Sequence, residues 1–151
     1  MLEGVVQVVC TYCDTDNEIP RDRLHESPTC VKCRAPLFEG RPASFDDEHR
    51  FRKHVRHNDI PVLVLFHAAL TSANGDIRSA FNQAASQLEP DARLITIDVP
   101  ALPDVADHLK VARYPTLLLL HHERELARHA GMMDLAQLLA WARPLVAAVT
   151  V

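Results

Sequence analysis

The chain has 151 residues, 48% of them hydrophobic and 24% charged, with a formal net charge of −4. That is room for one ordinary domain plus a small appendage, in the balance of a globular protein. No basic block stands out to neutralise phosphates, which argues against nucleic acid, and no apolar run approaches the length that spans a bilayer, which argues against a membrane.

Met1 to Val9 carries Glu3, lacks a basic start and runs straight into Cys10. It does not read as a signal peptide, so a cytoplasmic protein with reduced cysteines is expected. Four cysteines follow in two matched pairs, Cys10 with Cys13 and Cys30 with Cys33, and the chain has no others. Two thiolates two residues apart fit one turn of chain and can share a tetrahedral ion, and the second pair closes the shell. Between the pairs, Asp14 to Pro28 is polar and offers little to bury, so it needs help to fold. A single structural zinc ion would supply it. Two disulfides or a redox-active dithiol are the competing readings. Four sulfurs leave no open position, and His25 between the pairs reads as a surface residue. The ribbon is assigned to residues 1–40 and the second domain to 41–151.

Gly40 to Ser44 reads as a linker, with Ser44 placed to cap a helix that carries acids in its first turn and Lys53, Arg56 and His57 near its end. Pro61 then opens Val62-Leu63-Val64-Leu65-Phe66, a run expected of a strand buried on both faces. Thr71 or Ser72 can cap a helix to Leu88, with Ile77, Ala80, Phe81, Ala84, Ala85 and Leu88 at helical spacing. Leu94 to Ile97 is a strand, and Pro103 suits the first position of a short helix. Thr116 to Leu120 is another buried strand, with Arg124 to His129 returning beside it. Asp134 caps a last helix with Leu135, Leu138, Leu139, Trp141 and Leu145. Alternating strands and helices predict an α/β fold, a parallel sheet covered on both faces and closed by an antiparallel hairpin.

Several motifs resemble the bacterial zinc-ribbon thioredoxins, the second thioredoxin type. Phe38-Glu39-Gly40 follows the last cysteine pair as in that family. Pro61 to Ala68 stands where the family has its Pro-Val-Leu-Val-Asp-Phe-Trp-Ala strand. Tyr114-Pro115-Thr116 matches its cis-proline turn, and Gly131 the glycine before its last helix. The resemblance covers nearly the whole chain. It implies a thioredoxin fold, a mixed central sheet flanked by helices, behind a small N-terminal zinc ribbon. It also implies a shallow groove that holds an extended peptide, made here by Leu70, Tyr114, Pro115, Gly131 and Met132, with Ala130 beside them.

The departures from that pattern bear on activity. The family's Cys-Gly-Pro-Cys loop falls on Thr71-Ser72-Ala73-Asn74. Disulfide exchange needs an attacking thiolate and a resolving thiol, and a hydroxyl replaces neither. Leu65 stands for the family's buried Asp and Thr96 for its Lys partner. Leu70 and His67 stand for its two Trp, and Ser79 for the proline that kinks its second helix. A buried Asp without a thiol to serve is costly, so Leu is the expected packing solution.

Thr71 or Ser72 with His67 as base would make a hydroxyl nucleophile, but helix capping is the plainer role. His121, His122 and His129 offer metal-ligand chemistry in the hairpin, where solvated histidines are cheap. Glu123 replaces the family's hairpin glycine. His49, Arg50, Arg52, Lys53, His54, Arg56 and His57 make the first helix basic, ordinarily a solvated face. The expected function is a redox-inactive module that binds protein or extended peptide, or acts like a chaperone. The alternative is thiol-disulfide exchange or zinc-based redox sensing through the ribbon cysteines.

Overall fold

The computed structural model describes residues 4–68 and 72–149, and for 72–76 it describes the backbone alone. β1 (Val5–Val9) and β2 (Asp16–Pro20) form an antiparallel hairpin, followed by a 3-10 turn at Arg21–Arg23. The core of this ribbon is small: Val6, Val8, Ile19, Leu24 and Leu37 gather around Cys10 and Cys30, and Ile60 joins them from the larger lobe.

The larger lobe is built on a five-stranded sheet. Its strands are β3 (Ala43–Ser44), β4 (Val62–His67), β5 (Arg93–Asp98), β6 (Thr116–His121) and β7 (Arg124–Ala130), in the order β3-β5-β4-β6-β7. On β4, Leu63 and Leu65 face one apolar cluster while Val62, Val64 and Phe66 face the other. Both faces are therefore covered, which is why the strand is continuously apolar. α2 (Ser72–Leu88) and α4 (Leu135–Ala148) cover the first face. α1 (Glu48–His57) and α3 (Pro103–His108) cover the second. The Asp134 carboxylate caps α4 by accepting from the Gln137 amide at 2.8 Å, and the Gln137 side chain accepts from the Asp134 amide at 3.0 Å.

Two expectations need correction. Ser44 does not cap α1. It lies in β3, paired with Thr96, and Asp47 caps the helix instead, accepting from the Arg50 amide at 3.2 Å. Pairing of Ala43 and Ser44 with β5 holds the chain extended until Asp47, so the helix starts later. The sheet is mixed, as the resemblance implies, and less parallel than strand–helix alternation alone predicts: β3, β5 and β4 are parallel, but β6 runs antiparallel to β4. A parallel β6 would require the chain to travel back along a six-residue strand, roughly 20 Å. The six-residue α3 carries it only about 9 Å. β6 therefore starts near the end of the sheet where β5 stopped.

The β6–β7 turn places His122 (φ 48°) and Glu123 (φ 70°) in the left-handed region, as a two-residue hairpin requires. Side chains hold it there: His122 donates to the Arg56 carbonyl at 3.2 Å, and Glu123 accepts from Arg56 at 3.1 Å. Among the described residues no helix is long and apolar enough to cross a membrane.

Candidate metal centre and binding groove

The two cysteine pairs sit on turns of the same design. In the first, the Cys10 amide donates to the Thr15 carbonyl at 3.0 Å and the Asp14 amide to the Cys10 carbonyl at 3.0 Å. In the second, Cys30 donates to Ala35 at 2.8 Å and Arg34 to Cys30 at 3.0 Å. The residue after each pair, Asp14 (φ 61°) or Arg34 (φ 68°), is left-handed. Within the turns the Tyr12 amide donates to the Cys10 sulfur and the Lys32 amide to the Cys30 sulfur, each at 3.4 Å.

All four sulfurs lie within 4.8 Å of one another, and the Cys10–Cys33 and Cys13–Cys30 pairs are 3.6 Å apart. A tetrahedral ion with metal–sulfur bonds of about 2.3 Å separates its sulfurs by roughly 3.8 Å. The cluster fits such an ion with little adjustment. Burial drives the Cys10 thiol up to about 12. Burial opposes charge on Cys30 too, but the Cys33 and Lys32 amides and the Asn17 side chain outweigh it and bring that thiol down to about 6. The Thr15 hydroxyl, 3.1 Å away, lowers Cys13. His25 lies away from the sulfurs and pairs with Asp91 at 3.1 Å. Among the described residues the four cysteines are the one tight group of metal-ligating type. The His121 and His122 rings touch at a tilt with centroids 4.4 Å apart, while His129 lies against Trp141 instead.

The ribbon is locked to α1. Arg50 makes a fork on the Asp14 carboxylate, at 2.7 and 3.0 Å, and also reaches the Thr11 carbonyl at 2.9 Å. Lys53 donates to the Asp14 carbonyl, and Asn58 accepts from the Val9 amide at 2.8 Å. The basic face of α1, expected to be solvated, is largely a docking face. At this junction His54 is fully buried, with Nε2 donating to Asp14 at 2.9 Å and Nδ1 without a partner. Burial, aided by the charges of Arg93 and Arg50 and opposed by Asp14, pulls its pKa down to about 4.

The unfolded chain takes up a proton near 6.5 that folded His54 refuses until about 4. Stability contributed by the neutral ring is complete above 6.5 and is lost as pH falls through that window, by about 3 kcal/mol in all. Urea unfolding between pH 7 and 4 should show a steeper loss in the parent than in His54→Gln. Parallel losses would refute it.

At the other end of the sheet, Tyr114–Pro115 is a cis peptide. Tyr114 is 37% exposed, and its hydroxyl donates to the Val111 carbonyl at 3.2 Å. The Gly131 amide donates to the Pro115 carbonyl at 2.9 Å, at a backbone φ of 108° that favours glycine. Met132, next in the chain, is 45% exposed. Leu70 and Thr71 lie outside the described residues, as do the side chains of Ser72, Ala73 and Asn74, which begin α2. His67 ends β4 as a buried residue opposite Asp98. Burial and the nearby Arg78 lower its pKa, against Asp98. Leu65 and Thr96 are direct register partners, so the two substituted positions meet on neighbouring strands.

Sequence reasoning missed the buried polar residues of the junction: Asn17, His54, Asn58 and Arg93. Arg93 carried a signal, a lone cation between Ala92 and the apolar Leu94-Ile95.

The family profile described as Thioredoxin matches residues 43–144, and the zinc-ribbon profile described as Thioredoxin 2, N-terminal matches residues 9–35. Thioredoxin C-3 of Corynebacterium nephridii is 28% identical over 134 residues, spanning 89% of this chain and 91% of that protein. Among solved structures, a thioredoxin from Trypanosoma brucei brucei superposes with a TM-score of 0.62 at 16% identity, over 70% of this chain and 91% of that one. The germline-specific thioredoxin Deadhead from Drosophila melanogaster gives 0.62 at 24% identity, over 68% and 98%. These likenesses speak to fold. Together with the profile matches they lead to one conclusion: the chain belongs to the thioredoxin family and carries the N-terminal ribbon of the thioredoxin 2 type.

Proposed function

We propose that this protein has given up disulfide exchange and serves as a binding or chaperone-like module of the cytoplasm. A ribbon of residues 1–40 would be closed on one structural zinc ion, and a thioredoxin-like domain of residues 41–151 would hold a protein or an extended peptide. The observation that carries this reading is that sulfur nucleophiles are confined to the ribbon, while Thr71 to Asn74 occupy the loop where the family keeps its thiols. Leu65 and Thr96, side by side where the family has an Asp and a Lys, support it. Four thiolates within 4.8 Å support a closed, structural ion rather than one with an open catalytic position. The groove would be formed by Tyr114, Pro115, Gly131 and Met132, residue types that suit main-chain pairing with an extended segment plus apolar contact.

A second reading, exchange or redox sensing through the ribbon thiols, is favoured by one observation: Cys33 is exposed and its sulfur lies 3.6 Å from that of Cys10. Insulin reduction separates the two. Background turnover is expected; turnover that Cys33→Ser abolishes would favour the second reading. A pull-down with the intact protein and with Tyr114→Glu tests the groove. Loss of the captured partners is expected, and their full retention would move the binding site elsewhere.

A further inference from the structure

The hydrogen bonds around the four sulfurs are unequal. Cys30 receives the Lys32 amide at 3.4 Å and the Asn17 side-chain amide at 3.6 Å, besides the Cys33 amide. Cys10 receives the Tyr12 amide at 3.4 Å, and Cys13 has the Thr15 hydroxyl at 3.1 Å. Among the described residues no N–H donates to Cys33, the exposed one, whose sulfur lies 3.6 Å from that of Cys10. Asn17 is fully buried on β2, and every polar atom of its side chain is used. Its Nδ2 also donates to the Thr15 carbonyl at 3.0 Å, and its Oδ1 accepts from the Val31 amide at 2.8 Å. One side chain thus ties the end of the first cysteine turn to the start of the second.

We propose that Asn17 is a positioning residue of the metal centre. It seats the second turn in ligating geometry and withdraws charge from the Cys30 sulfur, so that thiol-directed electrophiles attack the loaded centre first at Cys33. The proposal rests on the reading that the four cysteines hold zinc. Outer partners of metal ligands commonly account for 10–100-fold in affinity, and a donated N–H makes a thiolate a weaker nucleophile.

The test uses the full chain loaded with zinc. With iodoacetamide, a sulfur–carbon bond forms as the carbon–iodine bond breaks and iodide leaves with the electron pair. Peptide mapping at low extent should place the first label on Cys33. Asn17→Asp keeps an acceptor for the Val31 amide but loses the N–H on Cys30. It should weaken zinc binding, measured against a competing chelator, by 10–100-fold. It should also raise the Cys30 share of the label severalfold and, with Co2+ in place of zinc, move the thiolate-to-metal absorption band to lower energy. A purely structural role would leave band position and label order alone.

Zinc affinity within twofold of the parent, with band and label order unchanged, overturns the proposal. A parent chain that takes up no zinc overturns this and the metal reading together; normal loading beside an unaffected variant overturns this one alone. Should Asn17→Asp fail to fold, the parent decides, since first labelling at any other cysteine also refutes the proposal.

Discussion

Removal of the ion from the four cysteines is expected to unfold the ribbon and to lower the melting temperature of the whole chain by more than about 10 °C. The ribbon core is eight buried residues, two of them cysteines and one borrowed from the larger lobe. So small a core cannot offset the entropy of ordering some forty residues. Structural zinc contributes roughly 10 kcal/mol or more to comparable small sites, against a total stability of about 5–15 kcal/mol for an ordinary domain. The loss would not stop at the ribbon. α1 depends on Asp14 for Arg50 and His54, and Asn58 depends on the Val9 amide. The ribbon also covers Arg93 at the base of the sheet. Calorimetry before and after chelation reads the temperature shift, and hydrogen exchange reads the spread: α1 amides should lose protection while the β4 and β6 amides keep most of theirs. A shift below about 2 °C would mean that the ribbon stands without metal. Cys30→Ser should reproduce the chelated state.

How much of this was legible in the sequence depends on how local the governing physics is. The cysteine pairs were legible because covalent spacing alone puts two sulfurs within reach of one ion. Val62 to Phe66 was legible because burial on both faces removes polar residues from a strand, and Asp134 because a cap and its partner lie three residues apart. Periodicity is blind to direction, so it could not show that β6 opposes β4. Nor could it show that Ser44 does not cap α1, since that was decided by pairing of Ser44 with Thr96 on a distant strand.

The junction was illegible for a similar reason. A buried polar residue has no period, and its partner may stand anywhere in the chain. Asp14 meets Arg50 across 36 positions, and Arg93 reaches Val9 across 84. For Leu70 and Thr71 the sequence remains the whole basis of the argument.

Replacement of Arg93 by Met is expected to cost about 3–5 kcal/mol, the usual penalty for orphaning one partner of a buried charged pair. The Arg93 side chain is 2% exposed and that of Glu89 4%, one helical-turn spacing apart in sequence. Arg93 donates to the Leu37 carbonyl at 2.8 Å and to the Val9 carbonyl at 3.2 Å, and its guanidinium lies 4.6 Å from the centre of the Phe38 ring. It thus holds both ends of the ribbon, the residue before the first cysteine and the residue that follows the second turn. The pair is not an ideal one. The closest approach of its charged atoms is 3.5 Å, and Glu89 Oε2 and Arg93 Nε have no hydrogen-bond partner. Burial pulls the Arg93 pKa down to about 10, against the attraction of Glu89, and burial raises that of Glu89. Met fills much of the same volume but satisfies neither carbonyl and leaves Glu89 without a cation. The urea midpoint should therefore fall with little change in slope, and the melting temperature by roughly 6–20 °C for a chain of this size. The double variant Arg93→Met with Glu89→Gln removes the stranded charge while keeping an oxygen for the Gly40 amide, which Glu89 now accepts at 2.8 Å. Its loss of stability should be smaller than the sum of the losses of the two single variants by about 1–3 kcal/mol, the coupling typical of residues in one buried network. If the two changes simply add, the guanidinium acts on the ribbon carbonyls alone and Glu89 is not its partner in energy.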